Sequence, residues 1–169
     1  MANRDGASGL TPRRHLAGGT IRTEQITLAA ANTAFGVGAA LVQTNAGVYD
    51  IWTSGQIDAV AAELATASQA GTIMAYVDPF IVYTAQTDDG TGTTTAQTAV
   101  NLNATIINNG SITNGRSIGE LDQSETADTA GLPLRIIGIW GSPDNAFGEF
   151  NVLEVIINDS ANRVGIQGI

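Results

Sequence analysis

Residues 132–157 read LPLRIIGIWGSPDNAFGEFNVLEVII, and this stretch decides the fold class. Two apolar, β-branched runs flank a turn-rich centre. The first is Leu134-Arg135-Ile136-Ile137-Gly138-Ile139-Trp140, and the second runs from Phe150 to Ile157. Between them Gly141-Ser142-Pro143-Asp144-Asn145 and Gly148 tolerate tight turns and positive φ. In the second run Phe150, Val152 and Glu154 alternate with Asn151, Leu153 and Val155, so neither face is wholly polar. The pattern predicts an antiparallel hairpin with a long loop at the centre of the core.

Working outward, the remaining strand candidates are 21–28, 39–44, 48–52, 72–86 and 99–107. Asp78-Pro79 interrupts the fourth, because proline cannot donate to a strand ladder. Turn signals stand at Thr44-Asn45-Ala46-Gly47, Asn108-Asn109-Gly110 and Asn114-Gly115. Gly119–Gly131 is acidic and reads as a solvated loop. In 55–70, Ile57, Val60, Ala61 and Leu64 fall on one helical face, with Ser54 as cap and Gly71 as stop. A short helix is expected there; the competing reading is two strands joined at 65–68. The expectation is all-β: an antiparallel barrel or sandwich (β-tulip-like), with an extended N-terminal arm over 1–22 and one β-domain over 23–169.

The chain has 169 residues, enough to bury a core without staples. It has no cysteine, which excludes disulfides, thiolate metal sites and cysteine nucleophiles. All seven basic residues are arginine, so lysine Schiff-base chemistry is excluded as well. Charge is segregated. Residues 1–22 carry four Arg and one acid, a net of +3, whereas 23–169 carry three Arg and fifteen acids, a net of −12. Such a body repels phosphates, so nucleic acid is not an expected partner. Residues 1–15 have no apolar segment of a targeting signal, and no apolar run is long enough to span a bilayer, so no membrane role is expected.

Residues 1–20 lack apolar periodicity. A segment of this composition keeps a fixed path only when something ties it down. The expectation is a partner or a second copy of the chain; folding back on its own domain is the competing reading. Arg13-Arg14-His15 is a compact cationic cluster between Pro12 and Gly18-Gly19, and guanidinium forks suit carboxylates on a protein surface. The expected partner or subunit contacts are Arg13, Arg14, His15, Leu16 and Arg22. No catalytic residue, metal site or cofactor is expected. His15 is the sole histidine and lies in a polar arm, a poor place for an oriented base. Asp88-Asp89 with Gly90 and Gly92 lacks the spaced oxygens of a calcium loop. Glu120–Asp128 offers no fixed carboxylate pair. Gly36-Val37-Gly38 is a fragment of a phosphate loop without its context. Trp52, Trp140 and the tyrosines read as core ahead of a sugar platform. Ile166 and Ile169 are tail residues that could pack.

Several segments together resemble a family. Thr11-Pro12-Arg13-Arg14-His15-Leu16-Ala17-Gly18-Gly19 is similar to the TPxRHLxGG opening of tailed-bacteriophage structural proteins encoded beside the major capsid protein. Tyr76-Val77-Asp78-Pro79-Phe80 with Tyr83 and Gln86 resembles a central segment of that family. Gly115-Arg116-Ser117 with Glu120-Leu121-Asp122 resembles another. Pro133-Leu134-Arg135-Ile136, Pro143–Gly148 and Val155–Asn158 resemble its closing block. The matches occur in order over nearly the whole chain. Two features depart from the pattern: Val77 stands where a second acid often precedes Asp-Pro, and 55–70 reads as helix where strand and loop are expected.

The resemblance implies a non-enzymatic head decoration (cement) protein. It would be made in the host bacterial cytoplasm and bind the outer surface of the capsid, with the major capsid protein as partner. It would act as a homo-oligomer, a trimer ahead of a dimer, with extended termini. The alternative of a different class is a head-fibre or receptor/carbohydrate-binding β-module, which would need an exposed Trp or Tyr in a shallow groove.

Overall fold

In the computed structural model, which describes residues 3–88, 95–161, 165 and 168, the hairpin of 132–157 is formed as expected. Leu134 pairs with Ile157, Ile136 with Val155 and Ile139 with Leu153, with a register shift between Ile136 and Gly138. The strands among the described residues are β1 (Thr11–His15), β2 (Glu24–Thr27), β3 (Ala40–Gln43), β4 (Tyr49–Ile51), β5 (Ala59–Ala61), β6 (Thr72–Tyr76) and β7 (Ile81–Gln86). They continue as β8 (Asn103–Ala104), β9 (Ile106–Ile107), β10 (Ile112–Thr113), β11 (Arg116–Ser117), β12 (Glu120–Leu121), β13 (Leu134–Ile139) and β14 (Val152–Ile157). One five-stranded sheet has the order β1-β7-β14-β13-β8, and the other β2-β6-β5-β3-β4. Pairs β10-β11 and β9-β12 form two short ribbons. All the strand pairings are antiparallel. Neither sheet closes on itself, so the barrel alternative gives way to a sandwich.

The two-residue period of strands explains the core. Ile81, Tyr83 and Ala85 of β7, Leu134 and Ile136 of β13, and Leu153, Val155 and Ile157 of β14 meet Ala40 and Val60 of the second sheet. The opposite face of that second sheet is buried too. Ile26, Leu41, Ala59, Ala61, Ile73 and Ala75 pack there with Leu28, Phe35 and Ala65 from its connecting loops.

Burial on both faces overturns the helix expected over 55–70. Ala59-Val60-Ala61 is a wholly buried strand, with Val60 facing the main core and both alanines the second. Small side chains suit a strand covered on both sides, and this tertiary fit overrides alanine's helix preference. Leu64, counted into the helical face, is exposed. Ser54 therefore caps no helix, and the buried carboxylate of Asp58 accepts from the backbone N–H of Gln43 and Ala161.

Asp78-Pro79 does break the β run, at the point where the chain passes from the second sheet (β6) to the first (β7). Asn114 and Gly115, at φ 50° and 77°, make the tight turn of the β10–β11 ribbon. Gly119–Gly131 is not a wholly solvated loop: it contains β12 and a 3-10 turn over Gln123–Glu125, and buries Leu121 and Gln123. Asn109 is buried and stands in for a strand residue. It accepts from Ala40 N–H and donates to the carbonyls of Ala40 and Trp52. The acidic turn at Asp89, Gly90 and Gly92 and the tail residues Ile166 and Ile169 lie outside the described residues.

Candidate functional site

The cationic stretch is built into the first sheet. β1 is its edge strand, paired with β7. The segment is therefore docked on its own domain, as in the competing reading. Its anchor is Leu10, fully buried in the main core, whose N–H donates to Gly38 O at 2.9 Å. Gly9, at φ +65°, passes so close that a Cβ there would sit 2.6 Å from Gly38 O. These few contacts hold a segment that has no apolar alternation of its own.

A register shift between Pro12 and Arg14 marks a bulge at Arg13. It sends both arginines over the outer face of the sheet. Arg13 Nε donates to Thr84 Oγ1 at 2.9 Å, and its guanidinium lies 4.9 Å from the Trp140 ring centre, a cation–π contact. Arg14 Nη2 meets Glu154 Oε2 at 3.0 Å. Thr84 and Glu154 are themselves cross-strand partners on β7 and β14, so the two arginines grip one rung of the sheet.

His15 follows, turned towards Asp78. Its Nε2 lies 3.0 Å from Asp78 Oδ2. Its Nδ1 accepts from the backbone N–H of Ala17 and Gly19, both at 3.2 Å. These contacts favour the tautomer with the proton on Nε2, donated to Asp78. Asp78 Oδ1 in turn accepts from Phe80 N–H at 2.8 Å. The histidine therefore fastens the strand end to the β6–β7 crossing. Beside it Leu16 N–H donates to Phe80 O at 2.8 Å, and the two apolar side chains are each 47% exposed.

The expected contact residues thus separate. Arg13, Arg14, His15 and Leu16 come together along one sheet edge. Arg22 lies apart from them in sequence, on the connection to β2, exposed and without a hydrogen bond or ion pair among the described residues. Sequence reasoning did not place Phe80 and Trp140 with the contact residues. Phe80 stood in the sequence as a large apolar residue directly after a turn-forming Asp-Pro, in a segment resembling the family, and Trp140 read as core ahead of a sugar platform; neither reading placed them beside the arginines. Trp52 is core, as read, with its indole N–H bonded to Gly55 O. Trp140 is half-exposed on the outer face. Among the described residues no three of His, Asp and Glu lie close enough to share a metal ion.

No protein-family model, curated protein or solved structure matches the chain.

Proposed function

We propose that the protein is a head decoration (cement) protein of a tailed bacteriophage. It binds the outer capsid surface through the β1 edge, acts as a homo-oligomer and performs no catalysis. The observation that carries this reading is the exposed Leu16–Phe80 pair, held against a cationic edge strand on an otherwise acidic body. An apolar centre with a polar, charged rim is the anatomy of a contact surface. The ordered sequence resemblance supplies the identity of the partner, the major capsid protein. Three of its blocks, TPRRH, the segment around Asp78–Gln86 and the closing block, are neighbours in one sheet as β1, β7, β14 and β13.

The mechanism is adhesive. Each copy contributes a small contact, and many copies on a lattice, linked through their own oligomer, add by multivalency. The acidic body keeps the coat soluble and away from nucleic acid.

Co-sedimentation with shells of the major capsid protein from the same genome tests the reading. The wild type is expected to pellet with shells to a fixed stoichiometry. Leu16→Ser with Phe80→Ser is expected to lower occupancy at least about tenfold, since each large apolar side chain contributes about 1.5–3 kcal/mol when buried. Unchanged occupancy of a folded double variant would remove this face from the contact.

A further inference from the structure

A groove of about 270 Å³ opens on the outer face beside Trp140. Its lining divides into a frame and a free set. Three amides form the frame, and each is fully engaged. Asn3 donates to the carbonyls of Ala146 and Glu149 and accepts from Ala146 N–H. Gln86 accepts from Gly6 N–H and donates to the carbonyls of Arg4 and Phe150. Asn145 bridges Trp140 O and both backbone groups of Val152. Phe150, also on the wall, is held in the left-handed region at φ 52°. A bulky residue there is strained, and such strain concentrates at functional sites.

The free set is Arg4, the Nη groups of Arg13, Ser142, Asp144 and the indole edge of Trp140. Neither Arg4 nor Arg13 has a carboxylate partner among the described residues. Arg13 is fixed from two sides, by Thr84 at Nε and by the Trp140 ring at 4.9 Å, which leaves its terminal nitrogens as preorganised donors.

We infer that this groove is a binding site for a carboxylate-bearing sugar, a hexuronate unit of an acidic glycan. The two guanidinium groups take the carboxylate. Asp144 and Ser142 take the vicinal hydroxyls, one as acceptor and the other as donor and acceptor. Asp144 favours a uronate over an acidic peptide: beside its carboxylate a uronate offers vicinal hydroxyls that donate to Asp144, which a glutamate or aspartate side chain lacks. The volume admits one sugar ring and lies just below the ~300–1,000 Å³ usual for drug-sized ligand sites. This site would act whether or not the molecule rides on a capsid.

The test is an NMR titration of the full chain with digalacturonate, with the neutral disaccharide of the same linkage, and with triglutamate. Digalacturonate is expected to shift the Trp140 indole N–H saturably and leave that of buried Trp52 unmoved. The neutral sugar and triglutamate are each expected to bind at least about tenfold more weakly, the scale of one lost charged hydrogen bond. Arg13→Gln is expected to weaken digalacturonate by a similar factor. Should that variant fail to fold, Arg4→Gln, on the exposed arm, reads the same effect. An unsaturable response, equal affinity for the neutral sugar, tighter binding of triglutamate, or unchanged affinity in a folded Arg4→Gln chain would overturn the inference.

Discussion

The Arg14 guanidinium and the Glu154 carboxylate, 140 residues apart in sequence, meet at 3.0 Å on the outer face of the first sheet. The pair looks like the clasp that holds the N-terminal strand down, but the Arg14 side chain is 48% exposed. Solvent screening leaves such a bridge about 0.5 kcal/mol. Arg13 contributes more, through a charged hydrogen bond and a cation–π contact, about 1–2 kcal/mol together. In urea unfolding, Arg14→Gln is expected to be nearly silent and Arg13→Ala clearly destabilising. The reverse order would mean that the salt bridge, and not the bulged arginine, fixes the edge strand.

Tyr83 is fully buried, and its hydroxyl has no hydrogen-bond partner among the described residues. A buried unpaired hydroxyl costs about 1–3 kcal/mol of desolvation. Tyr83→Phe is therefore expected to raise the unfolding midpoint in urea, where a buried hydroxyl with a hidden partner would lower it.

The same residue sets an alkaline limit. Burial first, and then the negative charge of Asp78, push the Tyr83 pKa well above the usual tyrosine range. The unfolded chain, with an ordinary phenol, binds fewer protons above pH ~10 than the folded one. Stability from this group is complete below that pH and is lost as pH rises beyond it. Phenolate absorbance from Tyr83 should appear only together with loss of near-ultraviolet circular dichroism; earlier ionisation would contradict its burial.

Gly36 and Gly115 form a matched pair for a glycine test. A Cβ at Gly36 would lie 2.3 Å from the Arg116 backbone carbon and 2.4 Å from Ser117 N, whereas at Gly115 nothing lies within 4 Å. Gly115 carries only the strain of φ +77°. Gly36→Ala is expected to destabilise by more than about 3 kcal/mol, since packed backbone must move. Gly115→Ala should cost about 1–2 kcal/mol. Equal effects in thermal unfolding would place the β10–β11 ribbon elsewhere.

What the sequence makes legible follows where each element finds its stability. The 134–157 hairpin carries its own alternation and turn residues, so pattern alone locates it. Ala59–Ala61 owes its strand state to cover on both faces, which no local period encodes, and its alanines imitate a helix. The strand Thr11–His15 has one buried anchor just before it, Leu10, and takes its ladder from β7. Nothing in TPRRH announces that. The arginines were recognisable as a contact cluster from charge segregation. Their convergence with Trp140, Asp78 and Phe80 depends on long-range register and was not.

In the proposed function, this molecule attaches by the face that carries Leu16, Phe80 and the β1 edge. Cryo-electron microscopy of capsid shells decorated with the protein measures this directly. An ordered oligomer is expected on the outer surface, with Leu16 and Phe80 against the shell or a neighbouring copy. Shells that stay bare at saturating protein, or bound copies whose β1 edge faces open solvent, would contradict it.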